Sequence, residues 1–154
     1  MSEIVEDLKS AGVHVLMNDA TQAGPLVLGG LDGRLGHSPI ALKAARQKTY
    51  RDMERLNGVK VLLAHRPDEF SAAPSFIRLV LAGHTHCGQV VLPLVGPLAT
   101  ASDYDRRYDC GVFRQRSKLL VVTAGVGTSH LPLRIGTYPD LWLISIEGKQ
   151  ATGI

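Results

Sequence analysis

The sequence is poor in cysteine: its 154 residues include two, Cys87 and Cys110, which lie well apart and form no Cys-x-x-Cys pair. Domains stabilised by several disulfides, and zinc sites built from cysteine thiolates, need more cysteines at closer spacing. Both classes are therefore disfavoured, and a reducing, cytoplasmic location is the default expectation. We interpret Cys110 as a packed thiol and Cys87 as a small residue in a turn, with a soft metal ligand or a redox-active thiol as the alternative for Cys87.

An excess of charge of one sign is also lacking. Lys and Arg together number 17 against 14 Asp and Glu, which gives a net charge of +3, and the basic residues are dispersed along the chain. Proteins that bind nucleic acids concentrate a larger positive excess on one face, so no nucleic-acid partner is evident. The small positive excess mildly favours anionic ligands.

A long apolar run without polar interruptions is missing as well. The longest stretch free of formal charge, Leu79 to Ser102, contains two histidines, a glutamine, two prolines and three glycines, which do not suit an unbroken helix in lipid. The acidic N-terminus, Met1 to Asp7, lacks the basic and apolar regions of a signal peptide. We therefore expect no membrane span and no targeting signal in this chain.

The length suits a single domain, and the pattern of apolar residues predicts an α/β protein with a β-rich second half. Helical spacing predicts helices at Glu3–Ala11 and Pro39–Leu56, the second with Ser38 as its N-cap. Apolar runs that end at turn residues predict strands at Val13–Met17, Pro25–Leu31, Val59–Ala64, Ile77–Ala82, Val90–Leu92, Val112–Phe113, Leu119–Thr123 and Leu141–Ile146. The continuous runs Val59–Ala64 and Ile77–Ala82 are typical of strands covered on both faces. We expect one mixed sheet, or two sheets packed face to face.

Three of the six histidines directly follow predicted strands: His65 in Leu-Ala-His-Arg-Pro, and His84 and His86 in Gly-His-Thr-His. Loops after strand ends are where α/β proteins place their sites. In extended backbone, residues two apart point to the same side, so His84 and His86 are expected to reach two neighbouring metal ions or one shared ion. A single histidine is more often a satisfied core residue, but three at strand ends favour a metal site.

The histidine segments, together with pieces downstream, resemble the C-terminal half of a calcineurin-like metallophosphoesterase of the bacterial phosphodiesterase-like branch. The most specific match is the string Gly-His-Thr-His-Cys-Gly-Gln at 83–89, and Leu-Ala-His-Arg-Pro-Asp at 63–68 precedes it. Tyr-Asp-Cys-Gly at 108–111, Thr-Ala-Gly-Val-Gly at 123–127 and Pro-Leu-Arg at 132–134 support it by their order. The resemblance covers the chain from about Leu8 to Glu147.

The resemblance implies a β-sandwich flanked by helices and a hydrolase that uses two divalent metal ions. It assigns His65 and His84 to one ion and His86 to the other, and imidazole ligands suit Mn, Zn or Fe. Arg134 is the candidate substrate-binding residue, because a guanidinium matches phosphate oxygens; a surface or strand-pairing role is the equal alternative. The implied substrate is a phosphodiester or phosphomonoester.

The N-terminal motifs of the family, Asp-x-His, Gly-Asp-x-x-Asp and Gly-Asn-His, are absent from the sequence. In the family they supply the remaining ligands, the carboxylate that bridges the metals and the proton donor. We therefore expect residues 1–154 to form the C-terminal part of one domain, an incomplete half of a four-layer fold. By itself this chain should hold at most one ion, contain no catalytic residue of its own and be inactive. The expected partners are the missing N-terminal half or a second copy.

Other candidate residues have structural interpretations. Asp32 precedes a glycine and favours a turn over a replacement metal ligand, and His14, His37 and His130 have no partner at ligand spacing. The alternative to a phosphoesterase part is a non-catalytic module that keeps at most one histidine-based metal site and acts through a partner chain. A companion segment carrying the absent motifs would distinguish the two.

Overall fold

Helices and strands alternate along the first two thirds of the chain, and the computed structural model describes residues 2–97, 107–129 and 131–147. The helices are α1 (Ser2–Ser10), α2 (Pro39–Arg55) and α3 (Glu69–Ala72), with 3-10 turns at Gly33–His37 and His86–Gly88. The strands are β1 (Asp19–Ala23), β2 (Leu26–Gly30), β3 (Val59–Leu63), β4 (Ile77–Ala82), β5 (Val91–Leu92), β6 (Gly96–Pro97), β7 (Gly111–Gln115) and β8 (Lys118–Val122). These elements confirm the α/β class.

The six longer strands form one mixed sheet in the order β1-β2-β3-β4-β8-β7. The four central strands, β2, β3, β4 and β8, run parallel, whereas the two outer strands pair antiparallel to their neighbours. Within the described residues the second sheet is the two-stranded ribbon of β5 and β6. The carboxyl ends of four strands therefore share one edge of the main sheet.

Helix α2 forms where the sequence predicts it. Ser38 caps its first turn by accepting a hydrogen bond from the Ala41 amide at 3.4 Å, and Pro39 occupies the first helical position, where no amide hydrogen is needed. Ala45, Thr49 and Met53 recur every four residues and are buried. This stripe packs α2 on one face of the sheet, in a core that includes Leu62, Val80, Leu120 and Val122.

The opposite face of the sheet is apolar but only partly covered. Its centre is a small cluster of Val61, Leu79 and Val121, while Val59 and Leu63 at either end of β3 are 42% and 37% exposed. Val61 and Leu62, on opposite faces at the centre of β3, are buried, so the expected cover on both faces is present at the centre of the strand and not at its ends. A continuous apolar run indicates that both faces of a strand are hydrophobic. It does not indicate which element of the fold covers each face.

The first predicted strand is displaced along the chain. Residues Val13–Met17 form no strand; β1 begins instead at Asp19, which pairs with Gly30 of β2. Asn18 has a left-handed backbone with a φ of 59°, and its side chain accepts a hydrogen bond from the Asp32 amide at 2.9 Å. This anchored turn sets where pairing with β2 starts, which the apolar pattern of the segment does not reveal.

The last predicted strand, Leu141–Ile146, is also wrong: these residues adopt no regular structure. Leu141 and Leu143 are 88% and 98% exposed. A strand requires a neighbouring strand for its backbone hydrogen bonds, and this segment pairs with none among the described residues.

None of the helices among the described residues has the length and apolar character that a membrane span requires.

Candidate metal centre at the carboxyl edge of the sheet

The carboxyl edge of the parallel strands gathers the candidate site residues. Asp32 follows β2, His65 follows β3, His84 follows β4 and Thr123 follows β8, and these strands are consecutive neighbours in the sheet. Each parallel pair is in close register near this edge, with Gly30 opposite Leu63, Leu63 opposite Leu81, and Ala82 opposite Val122. Topology alone therefore brings residues from distant parts of the sequence to one rim.

His65 and His84 lie side by side. Their ring centroids are 4.3 Å apart at an interplanar angle of 51°. Gly33 packs against the base of His65, since a Cβ at Gly33 would stand 2.5 Å from the His65 Cβ. The Gly83 amide donates to the His65 carbonyl at 3.3 Å, which ties the two histidine loops together.

The surroundings of these two rings favour the neutral imidazole. Partial burial lowers the pKa of His65, and the nearby charges of Arg66 and His86 lower it further. Burial is also the main cause of the lowered pKa of His84, followed by His65, Arg66 and His86, while Asp68 opposes the shift. A metal ion binds imidazole in its neutral form. The protonation state of His65 and His84 therefore suits them to bind a metal ion.

The segment His84–Gln89 is a tight turn and not the extended backbone that the spacing of the two histidines led us to expect. The φ angles are 73° at His84, 50° at His86, 54° at Cys87 and 42° at Gln89. Side chains other than glycine rarely adopt this left-handed region, and such residues cluster at functional sites. His84 and His86 therefore owe their directions to the turn and not to strand alternation.

A second segment of the chain holds the turn in place. The Thr85 hydroxyl donates to the Asp109 carbonyl at 2.6 Å, and Cys87 forms a disulfide with Cys110, with 4.8 Å between their Cα atoms. The expectations of a packed free thiol at Cys110 and a simple turn residue at Cys87 are therefore wrong. The pairing depends on two segments that meet only in the fold, so cysteine spacing does not indicate it.

Arg134 and Gln89 anchor the turn from its other side. Arg134 donates to the carbonyls of His86 at 3.0 Å and Ala124 at 2.8 Å, and also to those of Gly125 and Gly127. One of its terminal nitrogens lies 3.4 Å from His86 Nδ1. The Gln89 amide group bonds to the backbone of Ser129 and Leu131. Arg134 thus lies at the candidate site, with its terminal N–H groups directed at backbone carbonyls.

The three histidines do not form a single compact ligand set. Among the described residues, the group of three metal-ligating side chains whose ligand atoms all lie within 4.8 Å of one another is Cys87, Cys110 and Asp140. The two sulfurs of that group are bonded to each other and are not free thiolates. The rings of His65 and His84 are adjacent, and the charge of His86 acts on both of them.

An open groove of about 760 Å³ lies along the same edge. Mostly apolar side chains line it, among them Leu16, Met17, Leu63 and Leu81. Its polar members are His14, Asp32, Arg34, His65 and Thr123. The Asp32 carboxylate pairs with Arg34 through both of its oxygens and accepts from the Arg34 amide; these bonds lower the pKa of Asp32. This geometry fits the turn interpretation of Asp32.

The remaining histidines do not belong to the loops that carry His65, His84 and His86. His14 contributes to the wall of the groove, His37 ends the 3-10 turn before α2, and His130 lies outside the described residues. Sequence reasoning missed Thr85, Asp109 and Asp140 as supports of the edge. Asp140 accepts from the Thr123 hydroxyl and from the Gly125 amide, and its position 17 residues downstream offers no local signal of this contact.

Comparison with known proteins finds curated relatives with related names. An uncharacterised metallophosphoesterase of Aquifex aeolicus is 31% identical over 157 residues, covering 97% of this chain and 56% of the relative. The phosphodiesterase YaeI of Escherichia coli is 32% identical over 156 residues, covering 93% and 51%. The uncharacterised metallophosphoesterase YkuE of Bacillus subtilis is 34% identical over 91 residues, covering 58% and 32%. No family model matches the chain, and no solved structure does.

The chain spans about half the length of the two relatives that match nearly all of it. These alignments include the histidine loops and the segments that anchor them, because they extend over more than nine tenths of the chain.

Proposed function

Because the chain belongs to the calcineurin-like metallophosphoesterases, we propose that it supplies the histidine half of a metal centre that hydrolyses phosphodiester or phosphomonoester bonds. The observation that carries the proposal is the pair of adjacent imidazoles, His65 and His84, at the carboxyl edge of a parallel sheet, 4.3 Å apart. The anchored turn beside them carries a third imidazole, His86. Hydrolysis itself is the general activity that the relatives' names indicate, and the roles of these residues are our proposal.

The donor set fits a transition-metal ion. We assign His65 and His84 to one ion and His86 to a second, a division supported by the closeness of the first two rings. Neutral imidazoles suit Zn, Mn or Fe better than Mg or Ca, which prefer oxygen ligands. When bound, a pair of such ions polarises the phosphoester and lowers the pKa of a coordinated water.

A full binuclear centre needs an anionic bridge, which the three imidazoles do not provide. Asp32 lies at the same edge, but both of its oxygens are engaged by Arg34. Two divalent ions close together without a carboxylate between them would repel each other strongly. We therefore propose that residues 1–154 alone hold at most one ion, weakly, and that an N-terminal half carrying the absent carboxylate motifs completes the site.

The surface of the described residues supports such a second half. The sheet face around Val61 and Leu79 is apolar and only partly covered at its margins, where Val59 and Leu63 are exposed, and the segment Leu141–Ile146 is exposed and unpaired among the described residues. In the proposed assembly the N-terminal half covers this face as the second layer of a β-sandwich. It also offers a strand to the unpaired segment. The relatives are about twice as long as the matched region, which is compatible with this arrangement.

Arg134 contributes to the proposed site through its charge and its hold on His86. Its terminal nitrogens already donate to backbone carbonyls, so a two-pronged contact with phosphate would require these bonds to break. A guanidinium beside His86 still places positive charge where a phosphate would lie. The proposed substrate role of Arg134 is therefore attraction of the anion and positioning of His86.

The test combines ligation with complementation. In calorimetric titrations of the 154-residue chain with Mn²⁺ or Zn²⁺, we expect weak binding to at most one site, lost in His84→Ala and kept in the control His14→Ala. With bis(p-nitrophenyl) phosphate the chain alone should show no turnover above that of His84→Ala. A segment carrying the three absent motifs, fused or added in trans, should create activity that His84→Ala abolishes and His14→Ala leaves.

The second candidate is a non-catalytic module with one histidine-based metal site that acts through a partner chain. It is favoured by the engagement of Asp32 with Arg34, which keeps this carboxylate from bridging two ions. Metal binding by His65 and His84 without any activity in the complementation assay would support this candidate. Robust metal-dependent hydrolysis by the isolated chain would contradict both functions as stated.

A further inference from the structure

The Cys87–Cys110 disulfide lies next to a candidate metal ligand. Cys87 directly follows His86 and belongs to the same turn, and Cys110 directly precedes strand β7. The neighbouring bond between the Thr85 hydroxyl and the Asp109 carbonyl joins the same two segments. We call these two links together the strap. One link of the strap is covalent and the other is a single hydrogen bond.

The strap holds a backbone that is unfavourable by itself. Five of the six residues from His84 to Gln89 have a positive φ, and one of these five, Gly88, is a glycine. Such conformations persist where surrounding contacts enforce them. Within the described residues, the disulfide is the covalent constraint on this turn, so its loss should allow the turn to relax.

The two cysteine residues differ in exposure to solvent. Cys87 is buried, with 9% of its surface exposed, whereas Cys110, which directly precedes β7, is exposed. Thiol–disulfide exchange requires a thiolate to reach one sulfur in line with the bond. Cys110 is therefore the sulfur that an external thiol attacks.

We propose that Cys87–Cys110 is a thiol–disulfide exchange site, whose reduction by a dithiol opens the His84–Gln89 turn and loosens the hold on His86. The thiolate of the dithiol bonds to Cys110 Sγ, the Sγ–Sγ bond breaks, and Cys87 leaves as a thiolate that takes up a proton. The second thiol of the reductant then displaces Cys110 and closes the reductant's own disulfide. Two electrons pass from the dithiol, which is oxidised, to the cystine, which is reduced.

The opening is local, because other anchors of the turn do not depend on the disulfide. Arg134 still holds the His86 carbonyl, and Gln89 still bonds to Ser129 and Leu131. His65 follows a different strand and is not attached to the strap. Reduction should therefore loosen His84 and His86 while the sheet and His65 keep their places. The consequence for metal binding rests on the proposed function; the opening of the turn does not.

Hydrogen exchange measured by NMR tests the opening. The reporters are the amides of Gly88 and Gln89, which donate to the Thr85 carbonyl at 2.8 Å and the His86 carbonyl at 3.0 Å. We expect both to exchange at least tenfold faster after dithiothreitol treatment, while the amide of Val80 in β4 is unchanged. The variant Cys87→Ser/Cys110→Ser should exchange at the fast rate with or without reductant, and mass spectrometry should show two extra hydrogen atoms in the reduced chain.

Unchanged exchange rates at Gly88 and Gln89 would overturn the proposal. Equal acceleration of exchange throughout the sheet would also overturn it, since the disulfide would then stabilise the whole fold and not the turn. Absence of the disulfide from the oxidised chain would overturn it too.

A second experiment measures metal affinity by calorimetry. The probe is Mn²⁺, because it prefers oxygen and nitrogen ligands to the freed thiols. We expect reduction to weaken affinity about tenfold, because His84 belongs to the opened turn; equal affinity in both forms would refute the loosening of His84. If neither form binds Mn²⁺ while the turn opens, the exchange site stands and the proposed metal function fails.

Discussion

At the scale of single residues, Gly33 determines how closely the loop after β2 approaches His65. A methyl group at Gly33 would stand 2.5 Å from the His65 Cβ and 2.7 Å from its Cγ, distances that no packed side chain tolerates. His65 would have to move away from Gly33. Because the rings of His65 and His84 are adjacent, the arrangement of the pair would change. The absence of a side chain at Gly33 is therefore part of the geometry of the site.

We predict that Gly33→Ala weakens metal binding at least tenfold and lowers the free energy of unfolding by about 1–3 kcal/mol. The matched control is Gly127→Ala, because a Cβ at Gly127 would meet nothing within 4 Å. Calorimetric titration with Mn²⁺ and urea denaturation of the three proteins provide the two measurements. Equal metal affinity in Gly33→Ala and the wild type would contradict the proposed role of His65.

Tyr50 on α2 makes folding sensitive to alkaline pH. Its hydroxyl oxygen is buried and has no hydrogen-bond partner among the described residues. Burial, with a smaller effect from Glu69, raises its pKa to about 12, so the folded chain favours the neutral phenol. The neutral phenol of Tyr50 therefore contributes to the free energy of unfolding. This contribution is fully present below about pH 10, the pKa of Tyr50 in the unfolded chain, and is lost as the pH rises through about 12, its pKa in the folded chain.

We predict that Tyr50→Phe leaves stability at pH 8 within about 1 kcal/mol of the wild type, since it removes a buried unsatisfied hydroxyl. It should also reduce the loss of stability between pH 8 and pH 11. Urea denaturation at the two pH values measures both effects. An identical drop in wild type and variant would show that Tyr50 ionises freely in the folded chain.

At the scale of elements, an ion pair joins α2 to α3. Arg46 of α2 donates from Nε and from a terminal nitrogen to the two oxygens of Glu69, at 2.6 and 2.7 Å. The Glu69 side chain is 8% exposed. A buried carboxylate without its partner is costly, whereas an apolar or neutral replacement of both residues is much less so. The pair thus fixes the short helix that follows the His65 loop.

We predict that Arg46→Met lowers the free energy of unfolding by about 3 kcal/mol, because it leaves the Glu69 carboxylate buried and less compensated. Arg46→Met combined with Glu69→Gln should recover at least half of that loss. Chemical denaturation of both variants at neutral pH decides the point. If the double variant is as unstable as the single one, packing of the Arg46 stem and not its charge is the main contribution.

At the scale of the whole molecule, the partly covered apolar face and the segment Leu141–Ile146, which is unpaired among the described residues, favour association. The segment Leu141–Ile146 carries several exposed apolar side chains, with Leu143 98% exposed. Exposed apolar patches and unpaired extended segments are sites of protein–protein contact and aggregation. The same features would dock the N-terminal half in the proposed complete enzyme.

We predict that the purified chain self-associates in light scattering, and that Leu141→Lys/Leu143→Lys reduces the association. Ile40→Lys is the matched control, because Ile40 on α2 is 86% exposed but lies on a different element. It should leave the association unchanged. A stable monomer with a sharp thermal transition would instead identify the chain as a self-sufficient domain.

Much of the fold follows from local patterns. The cap at Ser38 and the stripe of Ala45, Thr49 and Met53 predict α2 to within one residue, because capping and amphipathic spacing act within a few residues. The bounds of β4 are also predicted correctly. Strand β1 and the segment Leu141–Ile146 were misassigned, because strand formation depends on a partner strand that the segment itself does not specify.

The sequence by itself determined the family, by its histidine strings, and the placement of His65 and His84 directly after buried strands. Parallel strands then require those residues to share an edge, which is a consequence of chain direction. Only the tertiary structure decided the left-handed turn at His84–Gln89, the Cys87–Cys110 disulfide and the grip of Arg134 on His86. These contacts join residues between 23 and 48 positions apart. Such contacts form only when the packed sheet has brought distant loops together, and no local pattern records them.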